Sequence, residues 1–115
     1  MILEELITAL TPIGVPIETG LFSGDAPDQY LVLVPLADEY PLHADNLPIQ
    51  DTEEVRISIY SKTNYMRLKT QILARLFINE FTITERRYNG FEENTGYHHY
   101  TIDVAKSYEV AKEEI

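Results

Sequence analysis

Ile2, Leu3, Leu6, Ile7 and Leu10 recur at three- and four-residue steps with Glu4 and Glu5 opposite them, which predicts an amphipathic helix over residues 2–10. Thr11-Pro12 and Gly14 end it, because proline turns its predecessor away from helical geometry and glycine suits the exit. Val15 to Thr19 reads as a short strand. Leu21 to Gln29 (LFSGDAPDQ) reads as a surface loop with no packed role. Tyr30 to Leu36 is apolar without alternation, so it is expected either to be covered on both faces or to lie centrally in a twisted sheet, and it is the best candidate for the central strand. Ala37 to Asp51 has two prolines, four acids and no period, and reads as a long irregular loop of the kind that often carries function.

From Glu54 to Ser61 the alternation is clean, with Val55, Ile57 and Ile59 on one face and Arg56, Ser58 and Tyr60 on the other. The period then changes. Tyr65, Leu68, Ile72 and Leu76 form one helical row, and Met66, Leu73 and Phe77 a second beside it. Ser61 or Thr63 is the expected cap of this helix, with Lys69 and Arg75 facing outward. Phe81 to Tyr88 starts as a strand and turns charged at Glu85, Arg86 and Arg87. Asn89-Gly90 is a strong two-residue hairpin signal, and Asn94-Thr95-Gly96, four residues later, offers a competing turn, so a hairpin is expected with its register open. Tyr97 to Ala105 alternates, with Tyr100, Ile102 and Val104 inward and Thr101 and Asp103 outward, and the acidic end, 109–115, is expected to fray. The expected fold is one α+β domain over residues 1–115, a mostly antiparallel four- to five-stranded sheet with two helices packed on one face.

Composition narrows the chemistry. The 115 residues include no cysteine, which removes disulfides, thiolate zinc sites and a cysteine nucleophile. The longest apolar run, Tyr30 to Leu36, is far shorter than the roughly 20 residues of a spanning helix, and the first residues carry acids rather than a signal's basic segment, so a soluble protein with no membrane contact is expected. The formal net charge is -10, and residues 1–60 hold a single base, Arg56. A chain this acidic argues against tracking a nucleic-acid backbone. Lys62, Arg67, Lys69 and Arg75 follow with no acid between them, a local positive face able to complement the acidic half of another copy.

Catalysis finds little support. His98 and His99 are adjacent on a strand and must point to opposite faces, and a metal site would need one of them with His43 and an acid such as Asp45. The paired acids Asp38-Glu39, Glu53-Glu54 and Glu92-Glu93 lie where carboxylates are ordinarily solvated. The five glycines are scattered and build no phosphate cradle. No catalytic residue, metal or cofactor is expected, and no enzyme. The excess is in tyrosine: Tyr88, Tyr97, Tyr100 and Tyr108 gather near Arg86 and Arg87 in the last hairpin, and Tyr and Arg favour interfaces.

The stretches GVPIETG, YLVLVPL, HADNLP, EEVRISIYSKTNY and GYHHYTIDV, taken in that order from Met1 to about Tyr108, resemble the tail terminator or tail completion (head–tail joining) proteins of tailed bacteriophages and prophages. The resemblance implies an α+β subunit of a hexameric ring that caps the tail tube and meets the head-closure or connector protein. DNA would pass through without specific binding. The implied location is the virion's head–tail junction, with assembly in the bacterial host cytoplasm. In that setting the residues expected at interfaces are Lys62, Arg67, Lys69, Arg75, Arg86, Arg87, Tyr88, Tyr97, His43 and Asp45. Two other readings stay open: another head–tail connector component, and a small-molecule-binding or regulatory α+β domain of ferredoxin-like type. An enzyme would need His43, His98 or His99 to converge with acids in a cleft.

Overall fold

A computed structural model describes residues 1–20, 25–44 and 47–110, those at 39–44 and 47–49 by their backbone alone. Helix α1 (Ile2–Leu10) runs into a 3-10 turn, Thr11–Ile13, which Gly14 leaves with a left-handed φ of 88°. Then come β1 (Ile17–Thr19), β2 (Gln29–Ala44), β3 (Leu47–Ser61), α2 (Tyr65–Ile78), β4 (Thr82–Glu92) and β5 (Tyr97–Glu109). They form one mixed sheet in the order β1-β2-β3-β5-β4, with β1 parallel to β2 and every other pair antiparallel. The α+β class with two helices is as expected; the parallel β1 makes the sheet mixed.

The central strand is β3, not the apolar run of β2. Val55, Ile57 and Ile59 alternate onto the helix side and are buried with Leu31, Leu33, Ile102 and Val104 beneath Leu6, Leu10, Leu68, Ile72 and Leu76. Burying each such side chain contributes about 1.5–3 kcal/mol, so both helices are held on one face by a single core. The β2 run looked doubly covered because Val32 is buried on the other face, yet Val34 and Leu36 stay exposed.

The expected long loop is instead a strand pair. β2 continues through residues 37–44 and pairs back onto β3 from Asp38↔Glu53 to Ala44↔Leu47, with register slips after Pro35, between Glu39 and Leu42, and between Leu42 and His43. Those slips hid the alternation. Pro41 is tolerated because, among the described residues, no strand lies on the outer side of β2 beyond Leu33, and Pro48 because β3 there is paired with β2 alone, so each strand has a free side on which a missing N–H removes no ladder bond. Among the described residues, pairing of β3 with β5 ends at Gln50↔Glu109, which leaves the rest of this hairpin as a two-stranded arm.

The last hairpin turns at Asn94-Thr95-Gly96, and Asn89-Gly90 lies inside β4. Gly90, at φ 115°, serves a bulge: register slips between Tyr88 and Gly90, as it does between Ile83 and Glu85. The side chains of the two extra residues bond back, Thr84 Oγ1 to the Asp103 carbonyl at 3.3 Å and Asn89 Nδ2 to Thr101 Oγ1 at 3.2 Å. At the other end β5 runs to Glu109; of the segment expected to fray, residues 111–115 lie outside the described residues.

Candidate functional site

Helix α2 begins at Asn64, whose Oδ1 accepts from the Met66 amide at 2.9 Å. Ser61 and Thr63 are not the cap; the Ser61 hydroxyl donates to the Thr63 carbonyl and accepts from Gln29 Nε2 at 3.0 Å. With the helix start fixed, Leu68, Ile72 and Leu76 enter the core. Arg75 follows on the flank toward α1, where its Nε donates to the Ala9 carbonyl at 2.8 Å, and Arg67 lies on that flank too, lining an open cleft of about 430 Å³ with Ile13, Val15 and Gln29. By the 100° step of the helix, Met66, Leu73 and Phe77 lie on the opposite flank, toward β4. Met66 is 54% and Phe77 67% exposed, so this second apolar row is a surface rather than core.

The row continues onto β4. Tyr65 stacks on Tyr88 with ring centroids 5.2 Å apart and on Tyr100 at 5.5 Å, and Tyr88 shares a 2.9 Å hydrogen bond with His98 Nδ1. Phe91, 50% exposed, lies 4.8 Å from the His98 ring. Lys69 Nζ sits 5.2 Å from the centre of the Tyr100 ring, and Arg86 is exposed on β4 in register with Ile102. Together these residues form an apolar strip edged with positive charge along one side of the molecule.

The expected interface residues are therefore not one face. Lys62 is exposed and sits 5.0 Å from the Tyr97 ring centre. Arg67 and Arg75 flank α1, and Arg75 is half-buried rather than turned outward. Lys69, Arg86 and Tyr88 belong to the strip. Arg87 points to the helix-free side and pairs with Glu85 at 2.8 Å. Tyr97 is 7% exposed, and its hydroxyl donates to the Pro27 and Ala26 carbonyls. It ties the 25–28 segment to the sheet, so that half of the loop does have a packed role. His43 lies in the arm, paired with Pro48, and Asp45 lies outside the described residues.

The helix-free side carries a second feature, an open groove of about 330 Å³ lined by Val34, Leu36, Ser58, Asn89, His99 and Thr101. Along one edge Tyr30, Tyr60 and His99 stack, at 4.8 and 4.4 Å. His99 Nε2 is buried with no hydrogen-bond partner, and burial holds its imidazole below the ordinary value. Beside it Arg56 grips the buried Asp103 through two bonds of 2.9 and 3.1 Å, which raises the guanidinium pKa further. Asp103 and Thr101 face away from the helices as expected, but both are buried.

His98 and His99 do point to opposite faces, and among the described residues no three His, Asp or Glu side chains are arranged to hold a metal ion. No described helix is long and apolar enough to cross a membrane. The sequence pattern places Met66 and Phe77 in a second helical row with the spacing of core residues and so does not mark them as surface, and Phe91, between two candidate turns, carries no signal of its own. No protein-family model matches the chain, and no curated protein matches it either.

Proposed function

We propose that this chain is a structural assembly protein of the tail-terminator type, a ring-forming subunit that caps a phage or prophage tail tube and joins it to the head connector. The observation that carries the reading is shape. The molecule measures 53 × 26 × 22 Å, with a radius of gyration of 15.9 Å, against about 13 Å for a compact chain of this length. A two-stranded arm and an exposed apolar strip are of no use to an isolated monomer, since each leaves surface that only a partner can cover. The likeness of the sequence pattern to that family points the same way. Its partners are then other copies of itself, a tube protein and a head-closure protein, with DNA passing through a lumen that the acidic half of the chain keeps from binding it.

The test is light scattering with size exclusion across a concentration range, alone and after mixing with a tail tube protein. Sixfold rings, alone or on tube ends, are the expected result; a strict monomer that ignores tubes overturns the reading. A small-molecule-binding domain has one observation in its favour, the groove beside His99. It predicts a ligand that raises the unfolding temperature, and that Thr101→Trp, which fills the groove, abolishes the rise.

A further inference from the structure

The α2–β4 strip is uncovered, but nothing in the fold selects its partner, and the β4 edge is interrupted by two bulges. The helix-free face of the sheet offers more. Strand register sets its side chains in rows: Tyr30, Tyr60 and His99 share one, Ser58 and Thr101 stand in the next, and Arg56 and Asp103 in the third. The middle row is short. Ser58 and Thr101, both buried, therefore floor a trough between the ring row and the ion-pair row, and this trough is the groove of about 330 Å³. Val34 and Leu36, 38% and 39% exposed, form its apolar end.

The hydrogen-bonding groups left over in the trough are donors. Arg56 has five N–H groups, and its bonds to Asp103 use only Nε and Nη2. The Thr101 hydroxyl accepts from Asn89 Nδ2 at 3.2 Å, which leaves its own hydrogen to donate. Neutral His99, in the tautomer with hydrogen on Nε2, is a third donor, and that atom is buried with no partner. The acceptors are taken, Asp103 by Arg56 and Glu85 by Arg87. Donors that converge beside an apolar end fit an acceptor carried on an apolar tail. A carboxylate is the acceptor that a guanidinium holds best.

We propose that the groove binds a small organic carboxylate with an aliphatic tail, its oxygens on Arg56, Thr101 and His99 Nε2 and its tail along Val34 and Leu36. Because Nε2 is closed off in the empty groove, Asn89, exposed and held to Thr101 by one long bond, swings aside as the carboxylate enters. This assignment rests on the small-molecule reading of the groove and names its ligand class. Whether copies also form rings does not bear on it.

Hexanoate, hexanol and hexylamine are titrated separately into the full chain at about pH 7.5, where the acid is ionised and the amine protonated, while amide chemical shifts are followed by NMR. Saturable shifts at Ser58, His99 and Thr101 are expected with hexanoate alone. Butanoate, which buries two fewer methylenes, should bind about tenfold more weakly. Thr101→Val and His99→Phe each remove one donor and keep a side chain of similar shape, and each should weaken hexanoate about tenfold while the rest of the spectrum stays that of the wild type. Binding of the alcohol or the amine as tight as that of hexanoate overturns the carboxylate assignment and leaves the groove reading standing, as does hexanoate binding in the groove that both variants leave intact. Silence of all three probes, or shifts only outside the groove, overturns both.

Discussion

His99 sits in surroundings unlike water, with a chemical consequence. One ring face lies against Tyr60, Nε2 is buried without a partner, and desolvation lowers the imidazole pKa from its ordinary 6.5, with Glu92 pulling it up and Arg56 pushing it down. The unfolded chain, with an ordinary imidazole, therefore takes up its proton first as pH falls. Stability drops as the pH is lowered through 6.5 and stops dropping on this account only once the folded imidazole also protonates. Glu5 acts in the same direction but lower: the hydrogen bond from Tyr108, helped by Lys106, holds its carboxyl below 4.5, so its contribution is present above that value and is lost as pH falls through the folded pKa. His99→Phe keeps a ring on Tyr60 and removes the titration, so urea midpoints of the variant should be flat between about pH 7 and pH 5 where the wild type declines. Equal slopes in the two proteins would assign the decline to another group.

Among the elements, α1 is short and held from outside itself. Its first amide, Ile2 N–H, donates to Glu53 Oε1 at 2.9 Å, and Glu53 is buried on the helix side of β3, so a carboxylate from the central strand caps the positive end of the helix. Glu53→Ala leaves that amide without its acceptor and should cost about 1–2 kcal/mol in denaturant unfolding. Glu53→Gln keeps an acceptor and should cost less. This long-range cap was invisible beforehand, because Glu53-Glu54 reads as a pair of solvated acids until the strand register aims one of them at the helix. What was legible was periodicity that packing preserves: α1, the Val55–Ile57–Ile59 face of β3, the Leu68–Ile72–Leu76 row of α2 and the Tyr100–Ile102–Val104 face of β5. Bulges defeated the same reasoning twice. They broke the alternation of the arm, and they absorbed Asn89-Gly90 into β4 while Gly96, at φ 79°, took the turn. Of the candidate interface, the basic segment was legible as charge, but its division between two flanks of α2 depends on where α1 docks, which no local pattern encodes.

At the scale of the whole molecule, a core that holds two helices and a sheet is joined to an arm whose outer part, from His43↔Pro48 to Ala44↔Leu47, pairs only β2 with β3 among the described residues. Replacing residues 43–49 with a two-residue Asn-Gly turn, which joins the paired Leu42 and Gln50 directly, should therefore change the monomer's unfolding free energy by less than about 1 kcal/mol, as expected for a ribbon of two strands. On the ring-forming reading, the same excision should leave the protein monomeric at concentrations where rings of the full chain form. A shortened chain that unfolds much earlier would mean the arm supports the core directly. The bulged rim of β4 bears on what happens before any partner arrives. Newly made subunits crowd together at high local concentration, and an open row of backbone amides and carbonyls would let their sheets zip into fibrils. The kinks at Thr84 and Asn89, each hydrogen-bonded back into its own strand pair, spoil that template, so polymerisation of newly made chains through the rim is poisoned.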